Sequence, residues 1–297
     1  MRTFDPKTLS IKERHGLLLG AVGPRPIAWV STVDANGNPN LAPFSFFNVF
    51  SSNPPVLIFS PARSGRTNTT KHTYDNAKVV PEAVVNIVNH DLVERMVISS
   101  LEYPQGVSEF EKAGLTMIAS DSVAPPRVKE SPAQFECKVL EIKELGTEGA
   151  AGNLIICEVV KMHYQDEIFD ADGRIDQEKI DLVGRLGGAY YTRAHGDSLF
   201  EVKSNPMNTI VGYDSIPEFV QNSSLLSASD IAALVNADKL PDETEVNDFK
   251  LEFLDEVFME LMDRPDELGQ ALLEKTKSYI SDERINEAWC TILSFNP

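Results

Sequence analysis

Ile27-Ala28-Trp29-Val30-Ser31-Thr32-Val33, followed by Asp34-Ala35-Asn36-Gly37-Asn38, holds the first clear strand and turn of the chain. The seven residues are β-branched, aromatic or small, and the Asx/Gly cluster behind them supplies a tight turn. On its far side, residues 41–50 are expected to continue as one second strand. Asn53-Pro54-Pro55 breaks it before a third at 56–60. Residues 81–88 are apolar and β-branched. Ala133, Phe135, Cys137 and Val139 alternate with Glu136 and Lys138, the period of a half-buried strand, and residues 154–164 behave likewise. Helical patterns interrupt at 67–76 and 91–102. Five or six antiparallel strands with few helices predict a mainly β fold, a small barrel rather than a doubly wound sheet.

Past residue 205 the chain changes character. Val246, Phe249, Phe253, Leu254, Val257, Phe258 and Leu261 recur at three- and four-residue steps, as on an amphipathic helix. Pro265 starts another, Ile285, Ala288, Trp289 and Ile292 mark a last one, and Ser227 with Asp230 forms a capping-box pattern for a helix over 227–234. Charge breaks at the same place. Residues 206–297 carry 19 acids against 6 bases, net −13, and residues 1–205 carry 26 against 21, net −5. Two domains are expected, 1–204 and an acidic helical extension over 205–297.

The overall charge of −18 argues against nucleic acid and anionic membranes as partners. Met1-Arg2-Thr3-Phe4-Asp5-Pro6 lacks the apolar core of a secretory signal, and the apolar run at 17–22 is too short to span a bilayer. Cys137, Cys157 and Cys290 form no CxxC pair; small buried side chains in a reducing cytoplasm are the expectation. His15, His90, His163 and His195 show no metal-ligand spacing, so no metal is expected. There is no GxSxG elbow, no GxGxxG and no GxxxxGK[ST].

One window is built to receive an anion. Between Asp34 and Asp75 lie 40 residues without an acid, where 45 acids in 297 residues would place about six. The window contains Ser60-Pro61-Ala62-Arg63-Ser64-Gly65-Arg66-Thr67-Asn68-Thr69-Thr70-Lys71, hydroxyls and three cations ahead of a helix. Backbone N–H groups at a helix start and charge-assisted bonds from Arg63, Arg66 and Lys71 suit a phosphate. Phe44, Phe46 and Phe47 beside Ser45 and Asn48 suit a flat, edge-polar heterocycle, or else simply fill the barrel.

The run Gly23-Pro24-Arg25-Pro26-Ile27-Ala28-Trp29-Val30-Ser31-Thr32 resembles the signature of the flavin-reductase-like, FMN-binding split-barrel family. The similarity continues through residues 37–48, returns at Lys71-His72-Thr73-Tyr74-Asp75-Asn76, and closes at Arg185-Leu186-Gly187-Gly188-Ala189-Tyr190-Tyr191. It does not reach the extension. The resemblance implies a Greek-key antiparallel split β-barrel with peripheral helices, pairing as a homodimer with FMN, rather than FAD, near the subunit interface. Carried over by position, Trp29, Ser31 and Thr32 belong to the cofactor site, the last two by the flavin edge. Ala42, Pro43, Phe44, Ser45, Phe46, Phe47 and Asn48 would meet the ring and ribityl chain. Ser60, Arg63, Arg66, Lys71 and Thr73 would serve the ribityl and phosphate, and Tyr190 and Tyr191 could flank the ring. His72 stands where the family usually has Asp, which makes the pocket friendlier to anions.

The implied activity is hydride transfer from NADH or NADPH to the flavin, with electrons passed to free flavin, iron or a redox partner protein. The cofactor carries that chemistry, so no protein acid–base pair is required; His195 is the one candidate catalytic side chain. The alternative is a non-enzymatic, flavoredoxin-like electron carrier.

Overall fold

Ser10 opens the first helix, α1 (Ile11–Ala21), through a capping box: its hydroxyl accepts from the Glu13 N–H and the Glu13 carboxylate answers at the Ser10 N–H. The strand pattern then begins as the sequence suggests, with β1 (Ala28–Val33) and β2 (Pro39–Phe44) joined by the 34–38 turn, where Gly37 takes φ +82°. The computed structural model describes residues 1–104, 106–201 and 211–295.

Residues 41–50 do not form the single strand expected. Strand β2 ends at Phe44, and β3 (Phe47–Ser52) begins after Ser45 and Phe46. It pairs with β4 (Pro55–Phe59). The 67–76 pattern is also trimmed: residues 67–71 are loop, with Asn68 left-handed, and α2 is His72–Val79. There follow β5 (Glu82–Ile87), α3 (Val93–Ser99) and α4 (Glu109–Lys112). A small ladder of β6 (Met117–Ile118) and β7 (Arg127–Val128) precedes the long hairpin β8 (Ala133–Glu144) and β9 (Asn153–Tyr164). The unit closes with α5 (Gln177–Ile180) and a ladder of β10 (Val183–Arg185) and β11 (Tyr191–Arg193).

Seven strands form one sheet in the order β2-β1-β5-β8-β9-β4-β3, every neighbour antiparallel. The two edge strands, β2 and β3, are consecutive in the chain. Ser45 and Phe46 therefore carry the backbone from one edge of the curled sheet to the other, which makes this a Greek-key split barrel. Two cores explain why β1 is buried along its whole length. Ala28 and Val30 face a barrel interior of Leu57, Phe59, Val85, Cys137, Ile155 and Cys157. Ile27 and Trp29 face a second core with Leu92, Met96 and Phe110 from the covering helices. Cys137 and Cys157 are fully buried free thiols, and burial pushes the Cys157 thiol up to about 12.

Contacts divide the chain into two compact units, Met1–Leu199 and Phe200–Pro297. The boundary expected at 204–206 lies outside the described residues. The second unit is helical: α6 (Glu218–Gln221), α7 (Ala228–Val235), α8 (Glu243–Phe249), α9 (Asp255–Leu261), α10 (Pro265–Ser281) and α11 (Ile285–Leu293). The capping box at Ser227 and Asp230 forms, and Pro265 is the first residue of α10. Trp289 is buried, with its indole N–H on the Leu234 carbonyl at 3.1 Å. Among the described residues no helix is long and apolar enough to cross a membrane.

Candidate functional site

The acid-free window folds around a cavity of about 260 Å³, slightly below the roughly 300–1,000 Å³ usual for small-molecule sites. Its floor is polar, with Asn40 and Thr73 bonded to each other. The Asn40 amide donates to Thr73 Oγ1 at 2.9 Å, and Thr32 Oγ1 below accepts from Asn76 at 3.1 Å. One wall is the N-terminus of α2, which no side chain among the described residues caps, so its first-turn N–H groups suit a ligand's anionic group. Thr67, Thr69, Thr70, Ser99 and Ser100 add hydroxyls, and Ala42, Pro43, Phe44, Leu101 and Tyr103 add apolar surface.

Lys71 Nζ and Arg66 Nη2 both point at one carboxylate, Glu102, at 3.9 and 3.8 Å. Glu102 is 70% exposed and Arg66 84%, so this is a loose, screened pair rather than a fixed bridge. The carboxylate stands where an anionic group of a ligand would meet both cations. This donor set (two cations, several hydroxyls, an open helix start and an apolar wall) fits the phosphate, ribityl chain and ring of FMN.

Glu109, the first residue of α4, is buried at the same cavity, and its carboxylate accepts from the Leu41 N–H at 3.0 Å. Burial pushes this carboxyl above the usual range, against the pull of His72 and of two backbone N–H groups. Glu109, His72 and Asn40 also line a smaller cavity of about 70 Å³ with Asp34 and Asn38, so they form the partition between the two.

Of the residues expected at the site, Ala42, Pro43, Phe44, Lys71 and Thr73 line the cavity, and Arg66 stands at its mouth. Others lie elsewhere. Trp29 is in the core and reaches the cavity only through Ser99, whose Oγ accepts its indole N–H at 2.9 Å. Ser31 is buried with its hydroxyl on the Pro126 carbonyl, and Thr32 lies beneath the floor. Arg63 braces the loop through Asn68 Oδ1 and O, at 2.7 and 2.6 Å. Ser60 is buried with an unpartnered hydroxyl. Ser45 accepts a long bond from Arg25, Phe46 is 40% exposed, Phe47 joins the barrel core and Asn48 accepts from the Val49 N–H. Tyr190 is 75% exposed, while Tyr191 stacks on Arg185 at 4.4 Å. His195 is paired to Glu178, Nδ1 to Oε2 at 2.6 Å. None of these last residues lines the cavity.

The sequence reading missed Asn40, Glu109 and the 99–103 segment. Asn40 lies within the family-like block 37–48 but is not among the expected site residues, and Glu109 carries no local signal. Residues 99–102 fall in the helical pattern expected over 91–102, whereas the helix stops at Ser99. Two groups of side chains have metal-ligand proximity among the described residues, His90/Asp91/Asp181 and Asp121/Glu136/His163. In each, one carboxylate is already engaged: Asp181 by Arg193, and Glu136 by two backbone N–H groups and His163.

Comparison with known proteins adds an independent finding. The model of the flavin reductase like domain matches residues 21–182. An uncharacterized protein of Aquifex aeolicus is 41% identical over 197 residues, 65% of this chain and 98% of its own. Among solved structures, nitrilotriacetate monooxygenase component B from Bacillus cereus superposes with a TM-score of 0.63 at 33% identity, over 68% of this chain and 98% of that one. The 2-nitrobenzoate 2-nitroreductase of Pseudomonas fluorescens gives 0.60 at 28%, over 68% and 96%.

Proposed function

The chain belongs to the flavin reductase-like family, and on that premise we propose that it is an FMN-binding oxidoreductase that takes hydride from NADH or NADPH and passes electrons to free flavin, iron or a protein. The convergence of Lys71 and Arg66 at the mouth of a hydroxyl-lined cavity carries the reading. A bound flavin would supply the hydride-accepting ring. The chain supplies the rest. Lys71, Arg66 and the start of α2 hold the phosphate, threonine hydroxyls meet the ribityl oxygens, and Ala42, Pro43 and Phe44 give the ring a water-poor wall.

A homodimer in the cytoplasm is part of the proposal. The cavity is small for a whole FMN, and the edge strand β3 exposes Val49 at 62% and Phe50 at 64%. An unpaired, apolar edge strand favours a covering surface, and a second subunit would supply it while enlarging the site.

The test has two stages. FMN titration followed by fluorescence quenching should show micromolar or tighter binding, with sedimentation showing a dimer. Anaerobic stopped-flow mixing with NADH and with NADPH should then bleach the flavin absorbance. Absence of FMN binding would sink the whole reading. Binding without bleaching by either nucleotide would leave the flavoredoxin-like carrier, which the acidic C-terminal unit favours because its charge would steer a basic protein donor.

A further inference from the structure

Within the C-terminal unit, the helical run over residues 243–261 and the Met262 cap that follows it expose apolar side chains that its cores do not use. Leu251 is 71% exposed, Met259 71% and Met262 67%, while Val246, Phe249 and Leu254 on the same run are buried. The π-helical turn Lys250–Leu254 joins α8 to α9 and sets the phase between them. In an unbroken α-helix, residues eight apart stand about 80° out of line. The extra residue taken up by the π turn lets Leu251 and Met259 sit as an i, i+7 pair would, and Met262 follows three residues on.

The stripe lies in an acidic frame. Residues 242–263 contain nine acids and one base, Lys250. That one cation is turned inward, with its Nζ on the Ser294 carbonyl at 3.3 Å and 3.8 Å above the Phe258 ring. Among the described residues, Glu252, Asp255, Glu256 and Glu260 enter no ion pair. Single exposed hydrophobics are ordinary. Aligned, adaptable Leu and Met side chains bordered by unneutralised carboxylates are complementary to one chemistry, an amphipathic helix with apolar anchors and flanking Lys or Arg. The same face of a second copy would bring like charge against like charge.

We propose that this face is a docking surface for a basic amphipathic helix of another protein. Its apolar side chains pack on Leu251, Met259 and Met262, and its cations meet Glu252, Asp255, Glu256 and Glu260. The proposal is independent of the flavin chemistry.

The test uses the full-length protein and a fluorescein-labelled Lys/Leu peptide about five helical turns long, with leucines at i, i+3, i+4 and i+7. Fluorescence anisotropy should show saturable binding, at least about ten-fold weaker for a peptide of equal composition with leucines spread around the helix. The double substitution Leu251→Gln/Met259→Gln, at positions exposed enough to spare the fold, should weaken binding by about ten-fold, with unchanged circular dichroism. Equal affinity for the two peptides, or undiminished binding by the double variant, would reduce the interaction to bulk charge and overturn the proposal. Lack of saturable binding would do so too. Self-association in sedimentation that the double variant abolishes would assign the face to a second copy instead.

Discussion

Lys71 and Arg66 reach the same carboxylate, so the charge that the cavity mouth presents depends on where Glu102 points. This makes three side chains separable by ligand choice, because riboflavin shares the ring of FMN and lacks its phosphate. Lys71→Ala removes a charge-assisted bond of on the order of 1.5–3 kcal/mol, roughly ten- to hundred-fold in FMN affinity, and should leave riboflavin affinity unchanged. Equal losses for both ligands would make Lys71 structural. Glu102→Gln should act the other way. It removes a competitor whose two exposed pairs are worth about 0.2–1 kcal/mol each, so FMN should bind about two- to thirty-fold more tightly at low salt, with the gain shrinking as salt rises. Glu109 is testable through pH. Its folded-state carboxyl is raised by burial, so its contribution to stability is fully present below the unfolded value, about 4.3, and is lost as pH rises through the folded one. Glu109→Gln keeps an acceptor for the Leu41 N–H and removes this slope. Urea midpoints should therefore move in favour of the variant as pH rises from acid towards neutral; a difference independent of pH would show that the carboxyl does not titrate with folding.

At the scale of elements, the sequence was legible where side-chain period and punctuation agree. The strands near 28–33 and 133–139 alternate or concentrate β-branched residues, and the Ser227 box and Pro265 mark helix starts that the structure uses as such. It was illegible where topology alone decides. Nothing at Ser45-Phe46 is a breaker residue, yet the chain must cross there from one sheet edge to the other. Helix α1 was unreadable for a related reason: it has no buried residue and hence no apolar period. The site shows the same division. The cations and threonines of the 60–71 run were visible as local chemistry, whereas Glu109 and Glu102 come to the cavity from distant elements. A glycine belongs to this scale. A Cβ at Gly184 in β10 would lie 2.7 Å from the Pro24 Cβ and 3.2 Å from Thr192 Cγ2. Both neighbours sit in packed segments beside the Arg25–Arg185 bridge, so Gly184→Ala should cost about 1–3 kcal/mol as an overpacking change. A thermal midpoint within a degree of wild type would mean the bridge segment yields freely.

For the whole molecule, the two units differ in secondary structure, in charge and in the cores they hold. The first unit has the barrel interior and the helix-covered core, and the second gathers Val220, Leu234, Leu273, Trp289 and Ile292 in one cluster and Phe249, Leu254 and Leu272 in another. A unit with its own core can fold by itself, and every residue of the candidate FMN cavity lies between positions 40 and 109. A chain ending at Leu199 should therefore fold and bind FMN with the affinity of the full-length protein, within about two-fold. Truncation alone is a blunt test, since a shortened chain can fail for lack of solubility once the acidic unit is gone. Trp289→Ala puts the same question to the intact chain. Trp289 is fully buried and bonded to Leu234, and such a substitution costs about 3–5 kcal/mol, enough to melt a small helical unit. Circular dichroism should show helix lost at lower temperature, while the FMN titration at a temperature between the two transitions stays that of wild type. If FMN affinity falls together with the helical signal, and falls likewise in a folded chain ending at Leu199, the C-terminal unit takes part in the flavin site.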